Sequence, residues 1–436
     1  MADPILVTFL LFGGMLFFLA LGVPIAFALG GLSVGLIYTL WSPMGLSMMP
    51  LRAYSSTASF EYLAIPLFIF MACMLQRARI ADDLYNAMER IFGSFRGGLA
   101  IGTVVICTVF AAMSGISGAA TVAMGMIAIP AMLSRGYGKD MALGTIAAGG
   151  SLGILIPPSV TMIIYGLVAN TSIGRLYAGG LIPGLILAFL FSLYLALRGR
   201  LQPELAGGSE IVTYTWQEKI SGLKGLIFPI FLVAAVLGSI LTGFASISES
   251  AAVGAVGAVL SAAILGRLNW KIVTEACHET LYLSCMIFWI IIGASTLSTF
   301  YTGMGAGRVI ESFVLDLEVN RWVILIVMQL LLLVLGMVLE STGIIMITAP
   351  IFVPIIIKLG FDPIWFGVLF IINMEIGFLS PPFGYNLFYL RGVAPKSVTM
   401  VDIYLSVIPF IILMLFAMAL FMVFPGIITY LPDKIF

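Results

Sequence analysis

Charged side chains are the first thing this sequence has little of: they make up 9% of its 436 residues, where a soluble domain carries about 25%. Twenty basic residues balance twenty acidic ones, so there is no basic field to draw nucleic acid. The single histidine, His278, sits beside Glu275 and Glu279 at the start of an apolar run and reads as a solvated interfacial residue. One histidine excludes a histidine-rich metal centre and a Ser/His/Asp catalytic set. The four cysteines (Cys73, Cys107, Cys277, Cys285) form no CxxC and lie in or beside apolar runs, as reduced thiols do. A Walker motif is missing, which argues against an ATP-driven pump, and no enzyme signature takes its place. The start, Met1-Ala2-Asp3-Pro4, lacks the basic region of a signal peptide, so the first apolar stretch reads as a permanent span. What the chain has instead is apolar length: 61% of it is hydrophobic, with a mean hydropathy of +1.17. A lipid bilayer is its expected solvent.

Residues 5–41 are apolar almost throughout. As one helix at 1.5 Å per residue they would run about 55 Å, too long for a hydrocarbon core of about 30 Å. Gly22-Val23-Pro24 splits them into two spans, and a third is expected over 61–76. Residues 77–97 place Ile80, Leu84, Met88, Ile91 and Phe92 at helical spacing among charges, the pattern of an amphipathic helix on the membrane surface. The apolar segments 98–113 and 121–134 are too short to cross comfortably. Between them lies the small, hydroxyl-rich Ser114-Gly115-Ile116-Ser117-Gly118-Ala119-Ala120-Thr121, so 98–134 reads as a re-entrant hairpin. A broken span follows over 140–168, interrupted by Gly149-Gly150-Ser151-Leu152-Gly153 and Pro157-Pro158-Ser159, and then a complete span over 176–197.

The plan recurs 224 residues later: Gly14 aligns with Gly238, Gly30 with Gly254, Ser117 with Ser341, Pro130 with Pro354, and Pro157-Pro158 with Pro381-Pro382. Spans are expected over 225–243, 247–265 and 280–301, a second hairpin over 321–357, a second broken helix over 363–390, and a last span over 402–424. The expected fold is thus an all-α polytopic membrane protein, with a first repeat over 1–204, a cytoplasmic linker over 205–224 and a second repeat over 225–436. Five crossings and one hairpin per half make the repeat inverted in topology. With both termini on the periplasmic side, fourteen Lys and Arg fall in the cytoplasm and six outside, as the positive-inside rule asks. Trp41 and Trp322 read as interfacial anchors.

Broken helices at matching places in two halves point to a transport site. Unwound backbone at membrane depth survives only where it lines a cavity or protein. Its free carbonyls and hydroxyls suit a hard cation such as sodium, and half-helix N-termini suit a carboxylate. One site would join the tip 114–121 to the break 149–159, the other 340–343 to 373–384. Candidate substrate contacts are Ser117, Ser151, Pro157, Ser159, Asn373, Glu375, Ser380 and Asn386. Glu340 and Glu375 lie deep in apolar sequence, where a charge costs about 2.5–3.5 kcal/mol, which marks them as functional. Glu340 would neutralise a cation; Glu375 would do the same, carry a proton, or pair with Asn373. Their register partners, Ile116 and Ser151, are uncharged.

Four stretches carry a family resemblance: 21–30 (LGVPIAFALG), 114–121 (SGISGAAT), 153–159 (GILIPPS) and 381–387 (PPFGYNL). In order along the whole chain they resemble the large, DctM-like membrane subunit of tripartite ATP-independent periplasmic (TRAP) transporters. The resemblance implies an elevator-type secondary transporter of the bacterial inner membrane that takes up an organic acid with sodium. It implies two partners, a small four-helix membrane subunit and a soluble substrate-binding protein. Carried over by position, the cation ligands would come from Ser114, Ser117, Gly118 and Thr121 with Gly149 and Gly153, and from Glu340, Ser341, Thr342 and Gly343 with Gly377 and Ser380. A stand-alone sodium/carboxylate symporter of the same fold group is the alternative.

Overall fold

A computed structural model describes residues 3–93, 97–207, 214–316 and 319–436. The middle of the expected linker (208–213) and Arg96 lie outside the described residues, as do the side chains of Lys224 and Arg308. Among the described residues there are twenty α-helices and no strand beyond one isolated bridge, Tyr137 to Ala206. The all-α, multi-span expectation therefore holds. Seven helices are long and apolar enough to cross a bilayer, and one bent pair adds an eighth.

Helices α1 (Pro4–Ala20) and α2 (Ile25–Leu36) part at Gly22, whose φ of +77° is open to glycine without strain. A π turn at Ile37–Trp41 extends α2. The structure adds α3 (Met48–Ala58), where the sequence showed no apolar period; its last turn is Ser55-Ser56-Thr57. It meets α4 (Ala64–Arg77) through a bend of 65°. Helix α5 (Ile80–Phe92) is the expected amphipathic element, but its apolar face is taken by protein: Ile80, Leu84, Tyr85 and Met88 are buried where α5 packs on later helices. The hairpin is α6 (Gly98–Ser114) and α7 (Ser117–Ser134), and the broken helix is α8 (Lys139–Ser151) and α9 (Val160–Val168). Helix α10 (Ile173–Leu201) closes this half.

Helices α11 (Trp216–Leu241) and α12 (Ile247–Ile264) each start with a capping box, Thr215 with Glu218 and Ser246 with Glu249. Next comes α13 (Trp270–Gly303), one unbroken helix of 34 residues where the first half has the bent pair α3 and α4. Helix α14 (Ala306–Asp316), in a stretch to which the sequence assigned no element, stands at the 224-residue offset from α5. The second hairpin is α15 (Arg321–Gly336) and α16 (Ser341–Lys358), and the second broken helix is α17 (Pro363–Leu379) and α18 (Tyr385–Val393). Asp362 starts α17 by accepting the N–H groups of Ile364 and Trp365 at 2.7 and 2.8 Å. Helix α19 (Met400–Val423) follows, then α20 (Gly426–Ile435), which folds back on α10 with Asp433 accepting from Arg175 at 2.7 Å.

Small residues let helices from distant parts of the chain approach closely. Gly293 on α13 abuts the backbone of Gly30 on α2, and Ser33 donates across to the Gly293 carbonyl at 3.2 Å. The halves also interleave around the hairpins: α7 packs on α18, and α16 packs on α9.

Candidate functional site

At the first tip, α6 stops at Ser114 because Gly115 turns left-handed, with φ at +62°. A Cβ on Gly115 would stand 2.7 Å from the Pro158 carbonyl, so no other residue fits that turn without displacing the break. The Gly115 carbonyl accepts from the Val160 N–H at 3.2 Å, which ties the tip to the start of α9. Helix α7 then begins with no side-chain cap, leaving first-turn N–H groups without a partner of that kind. Opposite lies the break: a short 3-10 turn at Leu152–Ile154, a cis Pro157-Pro158 bond, and Ser159. Ser159 donates to the Ile154 carbonyl at 2.6 Å, caps α9 by accepting from Met162 N–H, and offers its own carbonyl to the Tyr177 hydroxyl.

Two glycines make this contact. The Cβ position of Gly153 is 3.1 Å from the Ile116 carbonyl and from the Ser117 nitrogen, and that of Gly150 overlaps the Thr121 hydroxyl oxygen. Ser114, Ser117, Thr121, Gly153 and Ser151 are thereby brought to one buried place. Gly149 is not at the tip; it faces Cys107 on α6. Gly118 carries the ring of Tyr389, so the second half closes over the first tip. Ser114 and Ser151 satisfy themselves on the carbonyls of Ile116 and Ala148. The Thr121 hydroxyl oxygen is buried and, among the described residues, has no partner. A buried orphan hydroxyl costs about 1–3 kcal/mol, and beside an uncapped helix start it is an oxygen for which a bound ligand would supply the missing partner.

The second tip is built differently. Glu340 caps α16 with its own carboxylate, accepting from Thr342 N–H at 2.9 Å, from the Ser341 hydroxyl at 2.9 Å and from the Thr342 hydroxyl at 3.1 Å. The positive end of the helix dipole thus meets a carboxylate already present. The break also sits elsewhere. Gly377 lies against Gly336 at the end of α15, with a Cβ position 2.7 Å from that backbone, and the Gly384 N–H reaches the Met337 carbonyl at 3.4 Å. Gly343 faces Ile25 on α2 rather than the break. Ser380 bonds to Ile376 O at 2.7 Å, within its own helix. Pro381, Pro382 and Phe383 are exposed, whereas Pro157, Pro158 and Ser159 are buried.

Glu375 is fully buried, and among the described residues both its carboxylate oxygens are unpartnered. Asn373 is taken by Gln329 on α15, donating to its backbone oxygen at 2.8 Å and its side-chain oxygen at 2.6 Å, so it does not pair with Glu375. Asn386 is buried, and among the described residues neither of its amide atoms is bonded. Sequence reasoning missed Gln329 and Tyr389 as site residues. Gln329 was visible as the lone polar side chain inside the apolar run of α15; Tyr389 over Gly118 needs the fold. Among the described residues no three His, Cys, Asp or Glu side chains converge to hold a metal ion.

Residues 12–427 match the family described as the tripartite ATP-independent periplasmic transporter, DctM component. The C4-dicarboxylate TRAP transporter large permease protein DctM of Vibrio cholerae is 34% identical over 436 residues, with 94% of each chain covered. The ectoine TRAP transporter large permease protein TeaC of Halomonas elongata is 28% identical, covering 97% of this chain and 98% of its own. The solved YdaH transporter of Alcanivorax borkumensis superposes with a TM-score of 0.68 at 12% identity, over 95% of this chain and 99% of that one, a likeness of fold alone. A chain matched from end to end by these permeases is a transporter subunit rather than an enzyme: it belongs to the DctM family, the large membrane permease of TRAP transporters.

Proposed function

We propose that this permease takes up an organic acid together with sodium, the acid being handed over outside by a soluble binding protein. A small four-helix membrane subunit is the expected third part, in keeping with the word tripartite in the family's description. Both relatives above are named for solutes that carry a carboxylate, a C4-dicarboxylate and ectoine. The observation that carries the sodium reading is the orphan Thr121 hydroxyl at the contact between the first tip and Gly150. Sodium, as a co-transported ion, would take that oxygen with nearby carbonyls of 149–153 and of the tip. The second ion would use the carbonyls and hydroxyls of 340–343 with Gly377 and Ser380. The substrate carboxylate would meet the uncapped start of α7, with Ser117, Ser151 and Asn386 beside it.

The chain is then an inverted repeat in the inner membrane, 1–204 against 225–436, with both termini periplasmic and the hairpins entering from opposite faces. Recurrence of helix order at one 224-residue offset, from α6–α10 to α15–α19, supports the division. The two hairpins and two broken helices would move as one body in an elevator stroke past α2, α4, α12 and α13. Proteoliposomes holding the chain and its small subunit test this, with the cognate binding protein and a sodium gradient supplied. Uptake that needs both sodium and the binding protein is expected. Uptake by this chain alone would favour a stand-alone sodium/carboxylate symporter instead.

A further inference from the structure

A cavity of about 890 Å³ lies between α13 on one side and α9 and α16 on the other. Its lining follows α16 from Lys358 to Met346, stopping five residues short of the tip at Ser341. At 1.5 Å per residue that is a path of about 18 Å along the helix. One wall is a ladder of hydroxyls on α13, Ser295, Ser298, Thr299 and Thr302, spaced at three and four residues so that they share one face. Thr299 and Thr302 donate to the carbonyls of Ser295 and Ser298 on their own helix, which leaves their oxygens free to accept. The hydroxyls of Ser295 and Ser298 make no hydrogen bond among the described residues.

The charge of the lining is one-sided. Arg52 of α3 and Lys358 of α16 are its only ionisable side chains besides Tyr62. Lys358 is held by Glu311 of α14, so its charge is largely answered. Arg52 is exposed and, among the described residues, pairs with no acidic side chain. A free guanidinium in a cleft with low-dielectric walls focuses its field into the cleft and concentrates anions there. Guanidinium also matches carboxylate and sulfonate geometry with two parallel hydrogen bonds.

We infer that this cavity is an anion-receiving vestibule, in which Arg52 captures the carboxylate or sulfonate of an organic anion and the α13 hydroxyls guide it along α16 toward the second tip. It rests on the reading of the chain as an organic-acid permease, and assigns the step before the buried sites.

The test reads the local charge preference and needs no knowledge of the substrate. In the full chain with its small subunit, Cys277→Ser and Cys285→Ser remove the exposed thiols, and Ser298→Cys places a reporter on the ladder; Thr302→Cys is a second reporter. Modification rates are measured with an anionic sulfonatoethyl and a cationic trimethylammonioethyl methanethiosulfonate. The ratio of the two rates cancels any effect of Arg52 on the thiol itself. The anionic reagent should react faster, Arg52→Gln should lower the anion-to-cation ratio about tenfold, and Arg52→Lys should keep it within about twofold. A ratio unmoved by Arg52→Gln, or reporters inert to both reagents in monodisperse protein, would overturn the vestibule. An Arg52-dependent ratio without sodium-driven uptake would support the vestibule and count against the sodium coupling alone.

Discussion

The two helix breaks share a cis proline pair and an offset of 224 residues, yet they are packed in opposite ways. The first is buried along its whole length and pressed onto its own hairpin tip, through Gly153 on Ile116 and Gly150 on Thr121. The second leaves Pro381 to Phe383 exposed and touches the C-terminal end of α15, through Gly377 on Gly336, while α16 packs on α13 and α9. Met374 stands where the first half has Gly150, and its side chain reaches Gly336. The two breaks thus share a sequence offset and a proline pair while differing in their chemistry. One site keeps an unfilled hydroxyl; the other supplies its own carboxylate.

That contrast can be broken most directly at the tight contact. Gly150→Ala and Ser117→Phe should each lower sodium-driven uptake by at least about a hundredfold with assembly in the membrane intact, the scale of loss when reacting groups are misplaced by an ångström. Met374→Leu, at the register of Gly150, should change uptake less than about threefold, because volume-conserving swaps are tolerated. Equal losses at both positions would erase the distinction. Glu375→Gln comes next. Uptake should fall about tenfold with an altered pH and sodium profile and no loss of thermal stability, since a neutral amide is easier to bury than an unpaired carboxylate. An unchanged profile would return Glu375 to packing.

A finer comparison pits two threonines against each other. Thr121→Val should raise the sodium concentration for half-maximal uptake about tenfold, through loss of one oxygen ligand worth about as much as a hydrogen bond to a charged group. Thr342→Val should raise it about threefold or less, because that hydroxyl is already engaged by Glu340. The smallest effects concern the tyrosines that brace the breaks. Tyr177→Phe removes one of two donors to the buried Ser159 carbonyl, which keeps the Ile163 N–H, and should cost about 0.5–1.5 kcal/mol. Tyr404→Phe, which frees the exposed Pro382 carbonyl, should cost about 0.5 kcal/mol or less because water replaces the bond. Thermal unfolding of the purified chain reads both.

The hairpins and breaks were legible because glycine, proline and short apolar lengths act locally. Helix α7 begins at Ser117 and α16 at Ser341, at the tips read from sequence. Helices α3, α14 and α20 were not legible: each is 11 residues or fewer, with polar residues breaking the apolar run. Their helicity is settled by packing, against α13 for α3, α16 for α14 and α10 for α20. The same limit governed the site. Which glycine meets a tip depends on register between helices, so Gly149 and Gly150 look equivalent in the sequence and differ in the fold. The pairing of Asn373 with Gln329, 44 residues away, leaves no local signature.

Helix α16 carries Pro350 as well as Pro354, whereas α7 has only Pro130, the partner of Pro354; Met126 stands at the register of Pro350. Each internal proline deletes one rung of the helix ladder and holds the preceding turn open. The rungs lost in α16 are those that would have reached the Met346 and Pro350 carbonyls, two successive turns beside the cavity wall. Bending stiffness is therefore unequal between the hairpins: α7 is a rod with one soft point near its far end, while α16 has a compliant middle that lets its tip swing while Lys358 stays anchored on Glu311.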